Sequence, residues 1–370
     1  NSSTANSCGP GCAALDPAQT PRWNGPPSEP TDAHSPLFAP PLPLPIQLAW
    51  LLPLYGFCGM VLSLPWAAGW FKRNGPRPAA YLNLLVTLLA VAHSSLILQQ
   101  VWILGPQHLE FPWFQAADLN LRIGFDLSLT NLAALELVTS MSLVCQVFAL
   151  GYLDKEWSLA RFYALVGFFE GAMSGVVLSS NLFMSYFLLE MLTLSTYLLV
   201  GFWYAQPLVV TAARDAFLTK RVGDILLFMG VVALSAWGGS MEFTDLYSWS
   251  ADAEASGLLS PLAGTLLGLG LIAGPMGKCA QFPMHLWLDE AMEGPNPASI
   301  LRNSVVVTAG ALVLFKVMPL LRLAPVAITS ASQPVRAASS ASRSSRRNRR
   351  CWHGSSCSGN TELRCRSSRG

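Results

Sequence analysis

Residues 274–310 read GPMGKCAQFPMHLWLDEAMEGPNPASILRNSVVVTAG, and the fold turns on this stretch. Both its ends are apolar, yet Lys278 follows directly on Gly-Pro-Met-Gly, a sequence that interrupts helices. A lysine deep in an apolar segment costs about 2.5–3.5 kcal/mol on insertion scales and by default marks a functional site. From Pro261 to Met292 the segment is too long for one straight span at a rise of about 1.5 Å per residue. Gly274-Pro275, Gly277 and Pro283 break it up. Non-helical backbone at membrane depth is tolerated only where protein or a water-filled cavity covers it. Broken helices of this kind hold ion and substrate sites in transporters. A plain proline kink is the blander alternative, and Lys278 beside the break favours the functional one.

Outward from this stretch the chain stays apolar. Of its 370 residues, 52% are hydrophobic and only 12% charged, with a mean hydropathy of +0.41. Soluble domains carry about 25% charged residues, so the expected class is an all-α, multi-pass integral membrane protein in a lipid bilayer. A spanning helix needs about 20 apolar residues. Eight candidates fit: 46–71, 79–104, 129–152, 162–178, 182–204, 216–237, a discontinuous seventh from Pro261, and 297–321. After the second, LNLRIGFDLSL alternates and predicts a short strand outside the bilayer. Ser180-Asn181 predicts a tight turn between the fourth and fifth. The chain therefore divides into a polar Pro/Ser-rich stretch (1–45), two spans plus the strand segment (46–128), a core (129–323) and a Ser/Arg-rich tail (324–370).

Connections after spans one, three and five hold Lys72, Arg73, Arg77, Lys155, Arg161, Arg214, Lys220 and Arg221. The even-numbered connections hold Arg122 as their one basic residue. This asymmetry places the N-terminus outside and the odd connections in the cytoplasm. The tail changes character abruptly after Leu323. One reading is a basic segment for nucleic acid or anionic lipid. The favoured reading is translation out of frame from GC-rich DNA, with no nucleic-acid partner. Reading the other two frames tests it. The eight cysteines lack CxxC spacing, and no P-loop, Rossmann, quinone or haem motif is visible. No metal and no cofactor is expected in this chain.

Glu190 lies in the middle of the fifth candidate span. With Lys278 it would form a switch, in which a changed separation moves a proton on or off the lysine. A structural hydrogen bond to a neighbouring helix is the alternative for Glu190. Arg221 and Asp224, three apart, share a helix face and either couple units or anchor the helix. Glu136 and Glu170 are further intramembrane carboxylates, and His285 and Arg302 flank the EGPNPAS connection. Asp289, Glu290 and Glu293 read as a solvated face, and the GxxxG pairs at 264/268 and 270/274 as a weak packing signal.

FLLEMLTLSTYLLVGFWY (187–204), AARDAFLTKRVGDILL (212–227) and the stretch from Gly277 to Gly310 also carry a resemblance. They are similar to the antiporter-like chain 5 subunits (NuoL/NdhF) of respiratory complex I and of photosynthetic NDH, over about 46–323. The resemblance implies half of an inverted-repeat antiporter-like fold. It assigns proton translocation to Glu190 and Lys278 and a coupling pair to Arg221 and Asp224. Asn303 would replace a relay histidine, so protons would pass by water or another group, with Arg302 changing the electrostatics. Glu136, Glu170, His285, Arg302 and Asn303 are candidates for an additional proton path.

The resemblance further implies partners: other NDH membrane subunits, chiefly an adjacent antiporter-like one. Plastoquinone, NAD(P)H or ferredoxin, and Fe–S clusters would belong to other subunits, so this chain would have no redox chemistry of its own. LRNS, LDEAMEGPNPAS and the glutamates at 136 and 170 look most like the cyanobacterial CO2-uptake variants, which adds a CO2-hydration subunit and a thylakoid or plasma membrane. The second half of the fold would follow Leu323, where the tail stands. The alternatives are an Mrp-type cation/proton antiporter subunit and a non-functional truncated fragment.

Overall fold

The apolar runs fold as helices joined mostly by short connections. The computed structural model describes residues 43–70, 77–116, 119–257 and 259–324. The 1–45 stretch up to residue 42, the loop cations Lys72 and Arg73, and the tail from 325 lie outside the described residues. A one-turn α1 (Leu44–Gln47) leads into α2 (Leu51–Ala67) and α3 (Arg77–Leu104). Strands β1 (Gln107–Ala116) and β2 (Leu119–Leu127) come next, then α4 (Leu129–Tyr152), α5 (Leu159–Leu178) and α6 (Leu182–Val200). The chain continues with α7 (Pro207–Gly238), α8 (Phe243–Ser256), α9 (Pro261–Lys278) and α10 (Leu286–Glu290). It closes with α11 (Asn296–Ile300) and α12 (Val307–Val317), joined by a π-wound stretch, Leu301–Val306.

Among the described residues, five helical segments are long and apolar enough to cross a membrane: α3, α4, α5, Leu182–Trp203 and Asn296–Leu323. Apolar α2 has 17 residues. The 32-residue α7 packs in the same bundle but carries Arg214, Asp215, Lys220, Arg221 and Asp224. It begins nine residues before the expected start at 216, because Pro207 opens it as a first-turn proline.

Gly274-Pro275 and Gly277, expected to interrupt the seventh segment, do not end its helix, whereas Pro283 lies in the non-helical stretch that follows. Helix α9 runs through Gly274, Pro275 and Gly277 and stops at Lys278. Ala280 takes a φ of 50°, the left-handed region that ends a helix. The glycines serve close approach instead. A Cβ at Gly274 would stand 2.6 Å from Leu227, and one on Gly223 of α7 would stand 2.8 Å from the Ala273 carbonyl. Helices α7 and α9 therefore touch almost backbone to backbone, and the GxxxG positions are packing positions.

Helix α5 is the centre of the first part of the bundle, with nearly every residue buried among α2, α3, α4 and α6. Its contact with α2 is tightest at Gly56, where a Cβ would lie 2.2 Å from the Gly171 nitrogen. The expected strand is β2, paired antiparallel with β1, which the alternation did not reveal. The ladder is irregular between Pro112 and Phe114, where a proline has no N–H to donate.

Each end of the bundle is tied by connections of one parity. The Ser180 amide donates to the Gly124 carbonyl of the hairpin, and the Ser180 hydroxyl and Asn181 amide donate to Glu242 before α8. At the opposite end Arg77 pairs with Asp154, and Arg161 donates to the Phe202 carbonyl.

Candidate functional site

Lys278 is the last residue of α9 and is buried. Its ammonium donates to both oxygens of Asp224, at 2.6 and 2.8 Å, and to the Thr193 hydroxyl at 2.5 Å. Thr193 in turn donates to Asp224 at 3.0 Å, so α6, α7 and α9 meet in one closed polar triangle. The position suits a cation twice over, because α9 ends there with its partial negative charge. Trp287 of α10 donates to the Gly277 carbonyl at 2.6 Å and so satisfies one of the carbonyls that the helix end leaves free.

Helix α7 explains which charges face inward. Its buried positions include 213, 216, 220, 223, 224, 227, 230, 231 and 234, a stripe at helical spacing. Asp224 and Lys220 lie on that stripe one turn apart, while Arg221 lies beside it. Lys220 is therefore an interior residue, not the loop charge expected. It donates to Thr196 at 3.0 Å and lies 3.8 Å from the centre of the Trp287 ring. Lys220 already falls inside the expected 216–237 span, but its charge reads with those of the preceding connection. Its spacing of four from Asp224 was the available signal.

Two expected partnerships change hands. Glu190 pairs with Arg221, not with Lys278, and accepts from Tyr186 at 2.9 Å. Asp224 pairs with Lys278, not with Arg221. The physical reason is the same stripe: Asp224 points between helices, and Arg221 reaches the half-buried flank of α6 where Glu190 stands.

Arg302 and Asn303, both candidates for the additional proton path, face different ways. Asn303 is exposed, whereas Arg302 is fully buried. One residue on a helix is a rotation of about 100°, so the inward place belongs to Arg302. His285 is exposed and stacks on Phe282, apart from this cluster. Asp289 and Glu290 are exposed, as expected of a solvated face.

The other carboxylates occupy the first part of the bundle. Glu170 is buried, and its Oε2 accepts from Ser142 at 2.7 Å, Thr87 at 2.8 Å and Gln146 at 3.3 Å. Glu136 is half-buried and accepts from Ser94 and Ser95 at 2.5 and 2.7 Å. Lys316, unremarked in the sequence, donates to the carbonyls of Val176, Val177 and Ser179 and thereby caps α5. Among the described residues no group of three or more His, Cys, Asp or Glu side chains is placed to hold a metal ion.

Comparison with known proteins adds to this geometry. Residues 113–163 match the family described as NADH-Ubiquinone oxidoreductase (complex I), chain 5 N-terminus, and residues 179–342 the family described as NADH:quinone oxidoreductase/Mrp antiporter, TM. The chain is 70% identical over 289 residues to "NAD(P)H-quinone oxidoreductase subunit 5, organellar chromatophore 2" of Paulinella chromatophora, covering 78% of this chain and 46% of that protein. It is 32% identical to "NAD(P)H-quinone oxidoreductase subunit 5, chloroplastic" of Aethionema cordifolium, covering 77% of this chain and 37% of that one. It thus spans less than half the length of these relatives. Among solved structures, a chain of the membrane-bound sulfane sulfur reductase (MBS), an archaeal respiratory membrane complex, has a TM-score of 0.61 at 17% identity. That match covers 72% of this chain and 52% of the other, and it shows the fold.

Proposed function

Because the chain belongs, over the residues those families match, to the antiporter-like membrane subunits of NADH:quinone oxidoreductases, we propose that it translocates protons through Lys278 in an NAD(P)H- or ferredoxin-driven plastoquinone oxidoreductase. The observation that carries this reading is the buried Lys278–Asp224–Thr193 triangle at the end of α9. Asp224 stands within one helical turn of a second lysine, Lys220. A shift of α7 against α9 that turned Asp224 towards Lys220 would strip Lys278 of its counter-charge and favour release of its proton. Trp287 holds the α9 end and Lys220 together, so a movement of α10 would be felt at both lysines.

In this reading Glu190 and Arg221, on the flank of α6 and α7, couple the triangle to an adjacent antiporter-like subunit. Glu170 and Glu136 belong to a further proton path, and Arg302 supplies an inward cation next to Asn303, which stands where the resemblance has a relay histidine. Eight segments would cross the membrane, the seventh interrupted after Lys278, with the N-terminus outside. The parity of the tied ends supports that alternation. Quinone, nucleotide or ferredoxin, and Fe–S clusters would belong to partner subunits. The CO2-uptake form, with a CO2-hydration partner in a cyanobacterial thylakoid or plasma membrane, is the finer proposal.

The test is the intact complex carrying a full-length version of this chain with Lys278→Ala. The expected result is loss of the proton gradient formed during quinone reduction, with the complex still assembled. Undiminished pumping would overturn the assignment. Growth at limiting CO2 decides the finer proposal. The Mrp antiporter named in the second family description keeps a cation/proton antiporter as the other reading, and sodium-dependent growth rescue would favour it.

A further inference from the structure

Arg302 is fully buried, yet only one of its three nitrogens has a partner. Nη2 donates to the Ser299 hydroxyl at 2.7 Å, while Nε and Nη1 have no acceptor among the described residues. A guanidinium stays charged at any ordinary pH, and a buried charge with idle donors is strongly unfavourable unless something compensates it. The neighbourhood adds positive charge rather than removing it. A Cβ on Gly294 would lie 2.9 Å from Nη1 and 3.1 Å from the Leu199 carbonyl, which puts the guanidinium beside the last turn of α6. One turn back on the same helix, Thr196 accepts from Lys220. Arg302 and Lys220 thus flank one stretch of α6.

The carboxylates nearby are already engaged or absent from the contact. Asp224 is held by Lys278 and Glu190 by Arg221. Glu293, the residue before Gly294, is half-buried and makes no ion pair with Arg302 among the described residues. The end of α6 offers a partial charge of roughly half a unit, which offsets part of one cation and leaves the rest. A surface cleft of about 500 Å³, lined by Met141, Asn296, Ser299, Ile300, Asn303 and Ser304, includes the residue whose hydroxyl holds Arg302.

We propose that Arg302 and Lys220 bind a small inorganic monovalent anion of chloride size, reached from the cleft past Ser299. Nε and Nη1 of Arg302 donate to the anion, and Lys220 supplies the second positive charge. Trp287, packed against Lys220, forms an apolar wall. This inference stands apart from proton translocation, because it rests on the uncompensated charge alone. Its consequence for the triangle is electrostatic: a fixed anion would make a cation at Lys220 or Lys278 less unfavourable.

Bromide is the probe, because a heavy halide quenches indole fluorescence on contact and Trp287 is closed to solvent. The full chain in detergent micelles, in gluconate buffer at constant ionic strength, is titrated with bromide. The expected result is a saturable quenching component that chloride reverses and that is missing in Trp287→Phe. In Arg302→Gln the half-saturation should move up roughly tenfold or more, as for loss of charge-assisted hydrogen bonds. Quenching that is only linear in bromide, or unchanged by Trp287→Phe, would overturn the site. Should circular dichroism show that Arg302→Gln fails to fold, Lys220→Gln decides: a weakened saturating component supports the site, and an unchanged one overturns it.

Discussion

In the first part of the bundle Glu170 sits among Thr87, Ser142 and Gln146, all neutral donors, with its other oxygen unpartnered among the described residues. In the second part Lys278 sits against Asp224, with Lys220 and Arg302 in the same interior. The first pocket lies within α3, α4 and α5, each an unbroken helix, and glycines there let α2 press onto α5. The second lies where α9 stops, next to a π-wound stretch. Neutral donors can be accommodated between intact helices. Paired ions draw on helix ends and close backbone contact, and the π-wound turn beside them is of a kind frequent at functional sites.

That contrast predicts different penalties. Asp224→Ala leaves Lys278 buried without its counter-charge and should destabilise the chain by about 3–5 kcal/mol. Replacing both partners with apolar residues of similar size, Asp224→Leu with Lys278→Met, should restore most of that stability while leaving proton transfer abolished. Thermal unfolding in detergent measures both. Equal losses in the single and double variants would show that the ion pair is not what the region depends on.

Gly56→Ala probes the first part instead. Its Cβ would meet backbone atoms of Gly171 at 2.2 and 2.6 Å, which cannot swing aside as a side chain would. Overpacking of this kind costs about 1–3 kcal/mol, and the upper end is expected here. A smaller penalty is expected at Glu170. Glu170→Leu leaves the hydroxyls of Thr87 and Ser142 without their acceptor, at about 1–3 kcal/mol, while Gln146 still donates to Thr87; Glu170→Gln keeps an acceptor in place and should cost less. If Gln and Leu were equally harmful, the neutral-donor description of this pocket would fail.

Much of this architecture is written locally. The third candidate span, 129–152, coincides with α4, because Ser128 caps one end and an uninterrupted apolar run fills the rest. The alternation at 119–127 gave β2 for the same reason. What the chain hides is which side chain meets which. Arg221 and Asp224 are neighbours on one helix, and nothing local says that α6 takes one and α9 the other. Lys220 lies near the start of its span, where charge alone does not tell an interior lysine from an interfacial one. Arg302 and Asn303 differ by a single step on a helix whose π-wound turn shifts its phase, so their facing depends on geometry rather than on residue type.

The smallest stability effect belongs to the pair that faces outward. Arg221 and Glu190 retain 34% and 19% of their side-chain exposure, and at mid-span that exposed side faces lipid or a neighbouring subunit rather than water. Glu190→Gln should nevertheless cost the least, because Gln still accepts from Tyr186 and the freed Arg221 can reach towards the interface on its long side chain. Its effect on proton pumping should be large if Glu190 couples neighbouring subunits through Arg221. The two measurements therefore pull apart: a near-native unfolding temperature with impaired pumping places the role in charge rather than in packing. A large loss of stability in Glu190→Gln would instead mean that this flank is as dependent on its ion pair as the Lys278–Asp224 interior, and the division between the outward and inward pairs would have to be redrawn.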